Sequence, residues 1–306
     1  MKIAFLFPGQ GSQFVGMGKD FYEKYPLARE QYHFADKVLG FDISGISFNG
    51  PEDKLKETCF TQPALYVHSI IINSLMRAKG IKPVAFAGHS LGEYSALTAA
   101  GAFNFDAGLH LVKMRCKLMH NAGHFNKGTM AAIIGLAVEK VDEICLRASG
   151  KGHVQVANMN SPVQTVISGT MEGVSEAMAI AQAEGAKRVI ELNVSGAFHS
   201  PLMQPAIESF SAALDQAQIH STEEPVYANV TADPIRNAME IKSLLKSQLI
   251  SPVRWMKSIQ NMIADGITEF VEVGAGSVLA GLVKKIDRQA HVFSVGTVAQ
   301  YESLQL

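Results

Sequence analysis

Short apolar runs alternate with longer amphipathic ones along most of this chain. Strands buried on both faces read as continuous apolar runs, and covering helices as apolar stripes at three- and four-residue spacing. The alternation therefore predicts an α/β protein with a parallel sheet between helices. Residues 2–7 (KIAFLF) form the first strand candidate and break at Pro8 and Gly9 into a loop, 8–13 (PGQGSQ). Helical patterns follow over 19–39 and 61–79. The apolar run 82–87 (KPVAFA) reads as the next strand, ahead of a helix-like run over 93–100. Residues 105–122 read as another helix, with Asn104 placed to cap it and Gly123 to end it.

Between 129 and 193 the rhythm changes. Strand 130–135, helix 138–148, strands 154–159 and 165–168, helix 171–184 and strand 188–192 follow one another in the order βαββαβ, the ferredoxin-like arrangement. This predicts a small subdomain, 129–194, inserted in a catalytic core built from 1–128 and 195–306. The α/β rhythm then resumes: helix 201–216, strand 226–229, helices 240–249 and 255–264, strand 269–273, helix 277–285 and strand 292–295.

Composition fits this picture. The 306 residues are 47% apolar and 18% charged, a globular balance with room for one large domain or two unequal ones. Basic and acidic residues number 27 and 28, so the net charge of −1 speaks against a nucleic-acid binder and requires any acidic partner to meet a local basic patch. Three cysteines (Cys59, Cys116, Cys145), far apart and without CxxC spacing, read as buried thiols of a reducing compartment. The apolar opening is too short for a signal peptide, and no apolar run approaches the roughly 18 residues of a membrane span, so a cytoplasmic protein is expected.

The chemistry concentrates at 88–92, where GHSLG joins the strand 82–87 to the following helix. A GxSxG pattern in that context is a nucleophile elbow, a sharp turn that exposes the hydroxyl of its serine, here Ser90. The helix 105–122 carries a second signal. On a wheel of about 100° per residue, Gly108, Leu111, Val112, Leu118, Met119 and Ala122 lie on the face of Arg115, while Lys113, Lys117, His110 and His120 fall on the side facing water. A guanidinium in an apolar stripe needs an anion: either an internal carboxylate or a substrate carboxylate gripped by its planar fork. Ser90 also needs a general base. Among ten histidines, His199, His220 and His291 remain after those in helical patterns and loops are set aside. His199 follows the last strand of the insert and precedes Pro201, whereas the usual hydrolase order would favour His291 with Asp233 or Asp265. PGQGSQ lacks the Lys-Ser/Thr of a phosphate loop, GAGSVL lacks the third glycine of a dinucleotide loop, and zinc-ligand spacing is absent.

Taken together, FPGQGSQ (7–13), GHSLGE (88–93), Arg115 and GAFHS (196–200) resemble the malonyl-CoA:acyl carrier protein transacylase family. TQPAL (61–65), ANMNSP (157–162), ISG (167–169), SPVRW (251–255) and EVGAGSVLAGLVKKI (272–286) extend the resemblance over nearly the whole chain. It implies an α/β-hydrolase-like core with a ferredoxin-like insert. It makes Ser90 the acyl-accepting nucleophile, His199 its base and Arg115 the ligand of the malonate carboxylate. The main-chain carbonyl of Gln248 would orient His199, and the backbone N–H groups of Gln10 and Leu91 would form the oxyanion hole. Met119 and Phe198 match pocket-lining positions, and Leu91 with Phe198 follows the pattern associated with malonyl rather than methylmalonyl preference. Met159 and Ala275 depart from the family pattern, where an aromatic residue and a proline are common. The implied reaction is a ping-pong transfer from malonyl-CoA, with the CoA thioester as substrate and no permanently bound cofactor, to an acidic acyl carrier protein. Lys187, Arg188, Lys284, Lys285 and Arg288 are candidates for docking it, and a monomer is expected. Fatty-acid synthesis is the expected pathway. A standalone polyketide acyltransferase, an editing acyl hydrolase, a thioesterase and a non-enzymatic carrier-binding scaffold are the rival readings.

Overall fold

The computed structural model describes residues 2–194 and 196–305. Ser195, which opens the 195–200 segment, and the terminal residues 1 and 306 of the expected core lie outside the described residues.

The first strand, β1 (Ile3–Phe7), is buried along its whole length, as its unbroken apolar run requires. The helix expected over 19–39 is two helices, α1 (Lys19–Lys24) and α2 (Pro26–Leu39). Pro26 forces the break: the residue before a proline is pushed out of the helical region, and Tyr25 sits at φ −111°, ψ 123°. Two short helices that hydrophobic periodicity did not reveal follow, α3 (Ile43–Asn49), capped by the Asp42 side chain, and α4 (Glu52–Lys56). Next come α5 (Thr58–Ala78), β2 (Ala85–Gly88), α6 (Gly92–Ala99) and α7 (Phe105–Phe125). Asn104 caps α7 by accepting from the Ala107 N–H at 2.8 Å. The helix runs through Gly123 instead of ending there, because one interior glycine costs only about 1 kcal/mol.

The chain then forms β3 (Thr129–Ile134), α8 (Val138–Ala148), β4 (Val154–Ser161), β5 (Gln164–Gly169), α9 (Met171–Ala183) and β6 (Arg188–Glu191). A 3₁₀ turn over Pro201–Met203 leads into α10 (Gln204–Gln216). Two minimal strands, β7 (Val226–Tyr227) and the unanticipated β8 (Pro234–Ile235), precede α11 (Ala238–Gln248) and α12 (Trp255–Ala264). The chain closes with β9 (Glu269–Val273), α13 (Val278–Ile286), β10 (His291–Val295) and a further unanticipated helix, α14 (Val298–Ser303).

Six strands form one sheet in the order β10-β9-β1-β2-β7-β8, parallel except for the last pair. Alternation along β1 divides its two faces: Phe5 and Phe7 join the larger core with α5, while Ala4 and Leu6 pack against Trp255, Ile259 and Leu282 of α12 and α13. The other four strands form an antiparallel sheet in the order β4-β5-β3-β6, with its own core against α8 and α9. β1 and β2 pair in parallel up to Phe7 opposite Gly88. The loops that leave their carboxyl ends, 8–13 and 88–92, therefore emerge side by side, where open α/β sheets bind ligands. Among the described residues no helix is long and apolar enough to cross a membrane.

Candidate active site

Ser90 sits between β2 and α6 at φ +52°, a left-handed conformation that a non-glycine residue adopts only under constraint. The glycines beside it let the turn close. A Cβ on Gly88 would lie 1.9 Å from the carbonyl carbon of Gly92, and one on Gly92 would lie 2.0 Å from the carbonyl oxygen of Phe7 in β1. Asn229, just past β7, pins the turn from below: its Oδ1 accepts from the Ser90 N–H at 2.7 Å, and its Nδ2 donates to the Gly88 carbonyl at 2.7 Å.

His199 meets the serine from the loop that follows the small sheet. Its Nε2 lies 2.8 Å from Ser90 Oγ, and its Nδ1 lies 2.9 Å from the backbone carbonyl of Gln248. A carbonyl only accepts, so Nδ1 carries the proton and the Nε2 lone pair faces the hydroxyl. Burial and the nearby Arg115 guanidinium push the His199 pKa down to about 3, which keeps the imidazole neutral. Its competitors are elsewhere. His220 is exposed, and His291 is an exposed residue of β10 paired with Glu269 at 3.5 Å. Asp265 accepts from the Tyr227 hydroxyl.

Arg115 is fully buried, as the wheel demanded. It has no direct carboxylate partner among the described residues. Its Nη1 donates to Gln62 Oε1 at 2.8 Å, and its Nη2 donates to Ser90 Oγ and to Gln248 Oε1, each at 3.1 Å. The nearest acid, Glu93, is reached through Gln248, whose Nε2 donates to Glu93 Oε2 and, at 2.9 Å, to the Ser90 carbonyl. Arginine only donates, so the Gln248 amide is oriented without ambiguity, and Glu93 stands as an acceptor on its far side. Glu93 also accepts from the Asn229 N–H at 3.1 Å. Burial raises its pKa to about 7, partly offset by these hydrogen bonds and by Arg115. Lys113, expected in water, is half-buried and donates to the Val38 carbonyl at 2.8 Å.

A cavity of about 90 Å³ opens on Ser90 and His199, with Gln10, Leu91, Met119 and Phe198 in its wall. Arg115 is not in its wall and meets the site through the serine oxygen. The backbone N–H groups of Gln10 and Leu91 take no acceptor among the described residues. The cavity also borders Met130, Asn158, Leu192 and Val194 from the small sheet and the chain leaving it, so both sheets contribute to one site. An oxygen nucleophile, a neutral base, free backbone donors and a buried cation in this arrangement can perform acyl transfer with an anionic acyl group.

Residues 4–302 match the family model of the acyl transferase domain. The chain belongs to the acyl transferase domain family. This acyltransferase is 46% identical over 295 residues to the malonyl CoA-acyl carrier protein transacylase of Bacillus subtilis (strain 168), covering 96% of this chain and 93% of that one. Among solved structures it resembles the acyl carrier protein S-malonyltransferase of Vibrio cholerae at a TM-score of 0.96, with 38% identity and 100% of both chains covered. A malonyl-transacylase solved in complex with a type II PKS acyl-carrier protein matches at 0.96, with 37% identity over 99% of this chain and 98% of that one. The resemblance to the malonyl-CoA:acyl carrier protein transacylase family is thus borne out.

Four polar side chains of the acyltransferase site had no assigned role in the sequence reading: Gln62, Glu93, Asn229 and the Gln248 side chain. Gln62 and Glu93 lie inside quoted segments, TQPAL and GHSLGE, and Asn229 ends the expected strand 226–229. Each is buried and polar, a pairing that shows only once burial is known.

Proposed function

We propose that this acyltransferase carries malonyl from malonyl-CoA to the phosphopantetheine thiol of an acyl carrier protein, through an ester on Ser90. The single observation that carries the reading is the Ser90 oxygen held between His199 Nε2 at 2.8 Å and the Arg115 guanidinium at 3.1 Å. Ser90 Oγ attacks the thioester carbonyl carbon while its proton passes to Nε2. The carbonyl oxygen takes the negative charge and rests on the Gln10 and Leu91 N–H groups, each worth roughly 3 kcal/mol to the transition state. Collapse of the intermediate breaks the carbon–sulfur bond, and His199 returns the proton to the departing CoA sulfur. The carrier thiol then repeats the sequence in reverse. Arg115 holds the free carboxylate of the acyl group, which selects malonyl and keeps the ester in a fixed pose. Met119 and Phe198 line the acyl pocket.

We read 129–194 as a ferredoxin-like subdomain inserted in an α/β-hydrolase-like core, 1–128 and 195–306. The strand order β4-β5-β3-β6 and antiparallel pairing support it. Met130 and Leu192 border the cavity, and four residues along β3 stands Ile134, opposite Arg188 on one side and Gln164 on the other. At about 3.4 Å per residue, four residues set Gln164 and Arg188 ~14 Å along the sheet from the cavity edge. Lys285 Nζ donates to Gln164 Oε1 at 3.0 Å, which draws the Lys284, Lys285 and Arg288 group towards Lys187 and Arg188. All five are exposed, and none is in an ion pair among the described residues. They form the proposed docking patch for an acidic carrier.

The enzyme works as a monomer in the cytoplasm in this reading, and the three unpaired cysteines support a reducing compartment. Fatty-acid synthesis is the proposed pathway. The transacylase solved with a polyketide carrier keeps polyketide supply as the second reading. The deciding experiment incubates the protein with radiolabelled malonyl-CoA and then adds carrier protein. Label should appear on Ser90, survive gel filtration, and move to the carrier; release as free malonate would instead mark a hydrolase.

A further inference from the structure

Two cysteines stand where α5 and α7 pack together, outside the transfer chemistry. Cys59, in the first turn of α5, directs its sulfur at the Cys116 carbonyl at 3.6 Å. Cys116, the residue after Arg115 on α7, directs its sulfur back at the Cys59 carbonyl at 3.7 Å. Pro63 accounts for half of this exchange. Lacking an N–H, it leaves the carbonyl four residues earlier without its helical donor, and the Cys116 thiol occupies the opening. The Cys116 thiol also lies 3.2 Å from the Lys113 carbonyl of its own helix. The neighbouring Cys116 thiol, aided by Lys117 and opposed by burial, holds the Cys59 thiol below its ordinary pKa, while the Cys59 thiol and burial push Cys116 up. Cys59 is half-buried and Cys116 is buried. One thiol is therefore reachable and activated, with the second held against it. Cys145 sits apart, in the core of the small sheet.

We propose that Cys59 and Cys116 form an oxidation site that a peroxide closes into an intramolecular disulfide, and that closure weakens acyl transfer by displacing Arg115. The Cys59 thiolate attacks one peroxide oxygen, the O–O bond breaks, and the departing hydroxide takes up a proton to become water, leaving a sulfenic acid. The Cys116 sulfur then attacks the oxidised sulfur, the S–O bond breaks, and the leaving hydroxide takes the Cys116 proton as a second water. Each thiol gives up one electron, and the peroxide accepts both.

Closing an S–S bond of about 2.0 Å turns both thiols away from their present carbonyl contacts and loads the junction of the two helices. Gln62 lies one turn beyond Cys59, and Arg115 immediately precedes Cys116. Their 2.8 Å hydrogen bond spans the same helix junction, and it sets the fork whose other arm reaches Ser90. The disulfide chemistry stands independently of the proposed function; its effect on transfer rests on that reading.

The test treats the wild type and the Cys59→Ala, Cys116→Ala and Cys145→Ala variants with graded hydrogen peroxide, then reads thiol titre, peptide mass and malonyl transfer. In the wild type the titre should fall from the three cysteines of the sequence to one. The intact mass should drop by two hydrogens, with the Cys59 and Cys116 peptides linked. Transfer should fall severalfold and return with dithiothreitol. Cys145→Ala should behave like the wild type, and Cys59→Ala should keep its transfer rate throughout. Oxygen adducts on Cys59 without a link to Cys116, or earlier oxidation of Cys145, would overturn the site. A disulfide that forms with transfer unchanged would overturn the link to Arg115. Failure of the untreated protein to transfer malonyl would count against the function, and the masses would still judge the disulfide.

Discussion

The Arg115 guanidinium donates to the Ser90 hydroxyl oxygen at 3.1 Å, so the proposed carboxylate ligand and the proposed nucleophile touch before any substrate arrives. The same cation helps hold the His199 pKa down. In the proposed mechanism an incoming malonate carboxylate takes the fork away from Ser90 and neutralises it. That frees the serine oxygen for attack and removes the part of the His199 pKa depression that Arg115 adds to burial. A neutral acyl group does neither, so substrate choice and base strength are tied to one guanidinium.

Replacing Arg115 with alanine should therefore cost malonyl transfer more than acetyl transfer. Leaving a desolvated carboxylate unpaired costs about 3 kcal/mol or more, on the order of 100-fold in kcat/KM. Competing malonyl-CoA and acetyl-CoA in one assay gives the ratio directly; an unchanged preference for malonyl would remove Arg115 from the role.

His199 has no protonation to undergo in the physiological range, since its pKa stands near 3. The kcat/KM for Ser90 acylation, which reports the free enzyme, should show no acid limb at the ordinary imidazole value of about 6.5. Measuring it in Glu93→Gln protein keeps the neighbouring carboxyl from titrating in the same window. A clear inflection there would assign the base to another group.

Stability should respond to pH from both sides. Glu93 is raised to about 7, so the folded state holds its proton longer than the unfolded chain does. Its contribution is whole below about 4.5 and is lost as pH rises through 7. His68 and His199, lowered to about 4 and 3, act oppositely: their contribution is whole above about 6.5 and is lost as pH falls towards those values. Urea melts should accordingly show Glu93→Gln gaining on the wild type between pH 4.5 and 7, by an amount on the order of 3 kcal/mol. Parallel curves would show that Glu93 does not titrate there.

The elbow should tolerate loss of a hydrogen bond better than loss of space. Asn229→Ala removes the partners of the Ser90 N–H and the Gly88 carbonyl, at about 1–3 kcal/mol, and should yield a folded protein with slower acylation. Gly92→Ala sets a methyl 2.0 Å from the buried Phe7 carbonyl oxygen and should prevent α6 from seating on β1. Thermal melts by circular dichroism separate the two outcomes.

Local order was legible in the chain wherever it rests on neighbours in sequence. The apolar runs located β1 and β9, Asn104 announced its helix, and periodicity traced α8 and α12 closely. Glycines about Ser90 marked a turn that only a close backbone crossing requires, and one charge in an apolar stripe marked Arg115. Short pieces such as α3, α4 and β8 left too few residues for a period to register, and the 19–39 helix was read across a proline that splits it.

What the chain could not decide by itself was which distant groups meet. Three histidines remained open as the base by position, and an internal carboxylate remained open as the partner of Arg115. Packing brings His199 Nε2 to Ser90, leaves His291 on an edge strand, and separates Arg115 from Glu93 by one amide. Periodicity records which face of an element leaves water, because burial follows from the alternation of its own side chains. A contact across 109 residues depends on how whole layers settle against one another, and only the tertiary fold holds that information.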